Sequence, residues 1–193
     1  MPSTVNLPIG TKYTMINFVD LSLDLYPLKN QVTVTKIPEY HEADISMDEI
    51  NEEFINLLNS IGIKICHSQF FYSPPYYNGP IHVDNVGGDY TKINYVFGGS
   101  NSRMFWYKLK SNIKVPMKKT MVGVFYKEYT TDQVDMIDSH ILGFPSLVQV
   151  GIPHNMVNQD EPRICAAFVL HDPEKNLLTM SESVTRLQNY ITM

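Results

Sequence analysis

Between residues 46 and 61 the apolar positions recur with a helical period. Ile50, Phe54, Leu57, Leu58 and Ile61 fall on one face. Ser46 and Glu49 precede that face at the spacing of a capping box, in which each side chain satisfies an amide of the first turn. Gly62 comes next and can end a helix in the left-handed conformation. The pattern predicts one helix over 46–61. Before it, residues 31–37 alternate as a strand does, and the rest of the first 45 residues is irregular.

After Gly62 the period shortens to two. The stretch 63–72 is rich in β-branched and aromatic residues, and short strands are predicted over 81–84, 92–97, 103–109, 120–126, 147–151 and 163–170. Turn signals separate them: Pro74-Pro75, Asn78-Gly79-Pro80, Gly87-Gly88, Gly98-Gly99-Ser100, Pro116 and the run 159–162. The basic run 114–119, interrupted by Pro116, reads as a solvated turn. A short helix is predicted over 131–141, capped by Thr131 with Val134, Ile137 and Ile141 on one side. A last amphipathic helix is predicted over 181–191, with Val184, Leu187 and Ile191 facing inward. The expectation is a single domain over 1–193: an N-terminal strand and helix as support (1–62), an all-β core (63–170) and a C-terminal helical segment (171–193). Many short strands at near-regular spacing point to an eight-stranded, cupin-like jelly roll, a double-stranded β-helix, with flanking helices.

Composition narrows the function classes. The chain has 193 residues, enough for one full core, and 44% of them are hydrophobic. A net charge of −5 with only three arginines (Arg103, Arg163 and Arg186) argues against a phosphate-tracking nucleic-acid binder. No apolar run approaches the roughly 18 residues that span a membrane, and no signal-peptide pattern opens the chain. Two cysteines, Cys66 and Cys165, make no disulfide framework, so a reducing cytoplasm is the expected location.

The candidate chemistry lies in His82-Val83-Asp84, Pro153-His154 and Arg163. A strand sets residues i and i+2 on one face, so His82 and Asp84 project together. His154 comes after the apolar strand 147–151, with Pro153 fixing φ on the approach. Two imidazoles and one carboxylate can fill three coordination sites on one face of iron(II) and leave three open for a cosubstrate and O₂. The tripeptide alone says little. With six histidines and eleven aspartates in the chain, some His-x-Asp arises by chance roughly one time in three. Singly, His82 reads as a strand histidine on a backbone carbonyl and Asp84 as a turn former. The weight lies in the order, with Arg163 opening a new strand nine residues after His154. Arg163, Cys165 and Ala167 share a small, semi-polar face, whereas Ile164, Ala166, Phe168 and Leu170 share a bulky one. A lone arginine inside is costly without an anionic partner, and a dicarboxylate is such a partner. His67 reads as structural, His41, His140 and His171 as exposed, and Cys165 as a wall residue rather than a nucleophile.

Three segments, IHVDNVGGDYTKINYVFGG, RMFWYKL and PSLVQVGIPHNMVNQDEPRICAAFVL, resemble the 2-oxoglutarate- and Fe(II)-dependent oxygenases. The resemblance is closest to the branch with aspartyl/asparaginyl hydroxylase-like and phage-encoded members. It implies that His82, Asp84 and His154 hold iron and that Arg163 pairs with the distal carboxylate of 2-oxoglutarate. Cys165 stands where the family often has a serine, so one hydroxyl donor is missing. Tyr72 and Asn94 are the further residues implied to line the cosubstrate site, and Trp106-Tyr107 matches an aromatic pair that core packing explains equally well. Asn155 is expected to help orient the imidazoles. The implied reaction uses O₂ to hydroxylate a C–H bond of a peptide, amino acid or other small polar molecule, giving succinate and CO₂. Segments 73–80 and 98–103 are expected to rim the site, with Tyr76, Tyr77 and Asn101 toward the substrate. Two alternatives stay open: a non-catalytic cupin-like metal-binding or structural jelly roll, and a cupin-type iron enzyme without 2-oxoglutarate. Both leave Arg163 unexplained. The oligomeric state is not legible.

Overall fold

The computed structural model describes residues 18–23, 25–32, 42–84, 89–120, 123, 125–143 and 145–192. Along the chain come β1 (Phe18–Asp20), β2 (Glu42–Asp44), helix α1 (Glu52–Ser60), β3 (Lys64–Ser73), β4 (Ile81–Asp84), β5 (Thr91–Gly98) and β6 (Arg103–Leu109). Next are β7 (Met117–Lys119), β8 (Phe125–Tyr129), β9 (Val134–Ile141), β10 (Ser146–Gln149), β11 (His154–Val157), β12 (Arg163–His171) and helix α2 (Met180–Leu187).

Among the described residues the strands form two six-stranded sheets, ordered β1-β10-β5-β12-β3-β2 and β7-β8-β4-β11-β6-β9. Every pairing is antiparallel, and β3 lies against β12, β4 against β11, β5 against β10 and β6 against β9. This is one long hairpin, with arms β3-β4-β5-β6 and β9-β10-β11-β12, wound so that successive rungs alternate between sheets. Further pairs, β12 with β5 and β11 with β6, knit each sheet together. That topology is the double-stranded β-helix, or jelly roll. Strands β1 and β2 extend the first sheet, and the β7–β8 hairpin is an insertion that extends the second beside β4.

The bulky face of β12 packs under the helices, as its alternation predicts. Phe168 meets Phe54 of α1 edge-on at 5.3 Å between centroids, and Phe54 meets Tyr95 of β5 at 5.6 Å. Leu58, Leu170, Leu178 and Leu187 complete this core. A fully buried aromatic or leucine here is worth about 1.5–3 kcal/mol in transfer terms. A smaller cluster around Trp106, Met104, Val148 and Val150 fills the space between the sheets, and Trp106 Nε1 donates to the Gln149 carbonyl at 2.8 Å. Trp106 is therefore a core residue.

Several predicted elements change. The helix over 46–61 breaks at Ile50. Ser46 does form its capping box, but over a short 3₁₀ turn, and Ile50 is extended, fully buried and bridged to Leu28. Asn51 then caps α1, accepting from the Glu53 amide at 3.0 Å. Gly62 ends the helix at φ 72°, as expected. The helix over 131–141 is absent: a 3₁₀ turn leads into strand β9, paired along β6. Its apolar spacing fitted a helix, yet Met136, Ile137 and Ile141 are exposed, and backbone pairing decides the conformation. The strand over 120–126 starts later, at Phe125, and part of the basic turn is the exposed strand β7. The helix over 181–191 begins one residue early and ends at Leu187 before a 3₁₀ turn. Most of the predicted strand 31–37, as well as His41, lies outside the described residues. No described helix is long and apolar enough to cross a membrane.

Candidate metal centre

His82, Asp84 and His154 come together. One ligand atom from each lies within 4.8 Å of the others, the only such cluster of three or more among the described residues. The cause is local and then topological. His82 and Asp84 alternate inward on β4, and β11 lies beside it, with His154 directly opposite His82. The same position faces Trp106 on its other side, so a buried indole backs the row. The imidazole rings are 4.5 Å apart, and His82 Nε2 is 3.1 Å from Asp84 Oδ1.

Both imidazoles are oriented by main chain. His82 Nδ1 bonds the Pro80 carbonyl and His154 Nδ1 the Ile152 carbonyl, each at 2.9 Å. A carbonyl only accepts, so Nδ1 carries a proton in both rings. His154 Nε2 presents its lone pair to the site, and His82 Nε2 faces the Asp84 carboxylate and becomes a ligand when it gives up its proton. Burial, with His82 beside it, pushes His154 down to about 3, which keeps it neutral. Burial opposes protonation of His82 as well, but the Asp84 carboxylate more than offsets that and raises it. Burial would raise Asp84, yet Lys92 and then His82 hold it well below the usual carboxylate range. Two imidazoles and an ionised carboxylate are a donor set that fits a divalent transition metal with open positions.

Lys92 is a further site residue, and its place at the centre was not expected from the sequence. It is buried on β5, its Nζ 2.5 Å from Asp84 Oδ2 and 5.3 Å from the Phe71 ring centroid. It occupies the second carboxylate oxygen and leaves Oδ1 for a metal. A strand-opening lysine reads as solvated, and its partner is eight residues away on another strand, so no local signal marks it.

The triad opens into a cavity of about 450 Å³ between the sheets, room for roughly fifteen waters. Arg163 lines it from the start of β12 and is 3% exposed. Its Nε has no hydrogen-bond partner, and no carboxylate pairs with it among the described residues. Cys165 also lines the wall, its thiol pushed up by burial against the opposing pull of Arg163. Asn94 points the same way, in the row of Ala167 and Ser146, with Oδ1 unpartnered. Tyr72 borders the cavity too, but it pairs with Ile164, on the row opposite to that of Arg163 and its partner Ser73.

Segment 73–80 rims the cavity as expected, through Ser73, Tyr77, Gly79 and Pro80. It is pinned to the end of β11 and the residues just beyond: Gly79 N–H donates to the Met156 carbonyl at 2.9 Å and Asn158 N–H to the Tyr77 carbonyl at 2.7 Å. A Cβ on Gly79 would come within 3.1 Å of that Met156 oxygen. Asn158 Nδ2 ties Ser73, Pro74 and Glu161 carbonyls together just before Arg163. Tyr76 points away, 78% exposed. Segment 98–103, with Asn101, does not line the cavity. Gly99 instead backs Arg163, with only 2.7 Å from where a Cβ would stand to the arginine Cβ. Asn155 bonds Gly79, Asn78 and Tyr107 rather than either imidazole, so it braces the rim.

No protein-family model matches the chain, and no curated protein does. Among solved structures, an oxalate oxidase chain, from a structural and spectroscopic study of that enzyme's mechanism, aligns over 86% of this chain and 79% of its own. The identity is 11% and the TM-score 0.34. The fold assignment rests on the strand order, and the metal site on its donor set.

Proposed function

We propose that this chain is an Fe(II)- and 2-oxoglutarate-dependent dioxygenase that hydroxylates a C–H bond of its substrate and forms succinate and CO₂. The observation that carries the reading is Arg163. It is a buried guanidinium with an unpartnered Nε, in the same cavity as a His-Asp-His cluster. A buried charge without a partner is costly, and a carboxylate delivered from solution removes that cost. A metal-binding jelly roll without a keto acid leaves the arginine with no counter-charge.

When bound, iron and 2-oxoglutarate supply oxidative decarboxylation of the keto acid coupled to oxidation of a C–H bond by O₂. The chain's own groups prepare for this. His82 Nε2, Asp84 Oδ1 and His154 Nε2 would hold the metal, and Lys92 fixes Asp84 through Oδ2. Arg163 would take the far carboxylate of the keto acid and thereby set its distance from the triad. Cys165 and Ala167 are the small residues of that wall. Incubating the protein with Fe(II), O₂ and 2-oxoglutarate should yield succinate, even slowly without substrate, and His82→Ala should abolish it. Succinate at the metal-free background in the folded wild-type protein would count against the assignment.

A further inference from the structure

The lining of the cavity carries a second polar group that the proposed iron and keto-acid chemistry leaves unused. Glu42 lines it from the edge strand β2, and its Oε2 is buried with no hydrogen-bond partner. Arg163 lines the same cavity but makes no ion pair with Glu42, and the other cations are committed elsewhere. Lys118 pairs with Glu128 at 2.7 Å, Lys92 with Asp84, and Lys119 lies over the Phe125 ring at 5.4 Å. The Gln69 amide, from the neighbouring strand, donates to Asp44. Two aromatic rings share the lining with Glu42. Tyr77 and Tyr126 both line the cavity, and Tyr126 stands edge-on to His82 at 6.2 Å. Burial, then Glu42 and Tyr126, push the Tyr77 phenol up.

A carboxylate that shares a cavity lining with two electron-rich rings offers the groups that recognise an organic cation. We infer that Glu42, Tyr77 and Tyr126 form the substrate subsite and that the substrate carries an ammonium or guanidinium group, as a basic amino acid or basic peptide side chain does. This rests on the oxygenase reading only in taking the bound cation as the molecule that is oxidised. Tyr126 links the subsite to the metal ligands, which sets the cation beside the reacting centre.

The test is calorimetric binding to protein loaded with Mn(II) and 2-oxoglutarate. The probes are short peptides containing lysine or arginine, against the same peptides with norleucine or citrulline. The cationic peptide should bind about tenfold or more tightly than its neutral counterpart. Glu42→Gln, nearly the same shape, should remove that preference, while Lys119→Ala should keep or strengthen it. Equal binding of charged and neutral peptides, no binding of either cation, or an undiminished preference in folded Glu42→Gln would overturn the inference. Measuring 2-oxoglutarate binding to the wild-type protein, and repeating the peptide binding without the keto acid, separates the two readings. If keto-acid binding proves absent while the Glu42-dependent preference persists, the cosubstrate assignment falls and the cation subsite stands.

Discussion

The two faces of β12 differ in kind. Ala166, Phe168 and Leu170 are sealed against α1, β5 and the C-terminal segment with no polar atom among their side chains. One residue out of phase, Arg163, Cys165 and Ala167 line a cavity whose walls leave Arg163 Nε, Asn94 Oδ1 and Glu42 Oε2 unpartnered. The first face stabilises the fold. The second holds polar groups that cost stability until something binds them. A single strand can do both because its side chains alternate.

Substitutions should separate the two faces. Phe168→Ala, on the sealed face, should cost about 3–5 kcal/mol in chemical denaturation and leave keto-acid affinity unchanged in whatever fraction stays folded. Arg163→Met, on the other face, should do the reverse. Apo stability should hold or rise, because an unpaired buried charge is removed, while keto-acid binding weakens by about 2–5 kcal/mol. A destabilised Arg163→Met protein with normal keto-acid affinity would erase the distinction. Lys92→Met should weaken metal binding by about 10–100-fold, the range for a partner that orients a ligand. An unchanged metal affinity would reduce Lys92 to a packing role. The smallest effect is that of pH. A metal must displace the proton that Asp84 helps His82 retain, so metal affinity should fall as pH drops through the raised His82 pKa, by about tenfold per unit for one proton. Affinity that is flat with pH would mean His82 is not a ligand.

The sequence marks elements whose signal is local or whose face is buried. β4 and β6 begin and end where their patterns do, and the alternation in β12 separates the helix-packed face from the cavity face. It fails where conformation is imposed from a distance. β9 is an edge strand with exposed apolar residues, so its spacing imitates a helix until β6 pairs with it. Ile50 leaves its helical period because Leu28 bridges it. The triad was legible because two ligands share a strand and the third comes directly after a proline. Lys92 and Glu42 were not: a lone lysine and a lone glutamate read as solvated, and only the packing of β5 and β2 brings them to the cavity.

The central claim is that one cavity binds iron(II) and a dicarboxylate keto acid together. Anaerobic titration with Fe(II) and then 2-oxoglutarate tests it most directly. The wild-type protein should develop a weak visible charge-transfer band that saturates with the keto acid, and Arg163→Met should need far more keto acid to reach it. No band from folded, iron-loaded protein, or the same titration curve for both proteins, would contradict the account.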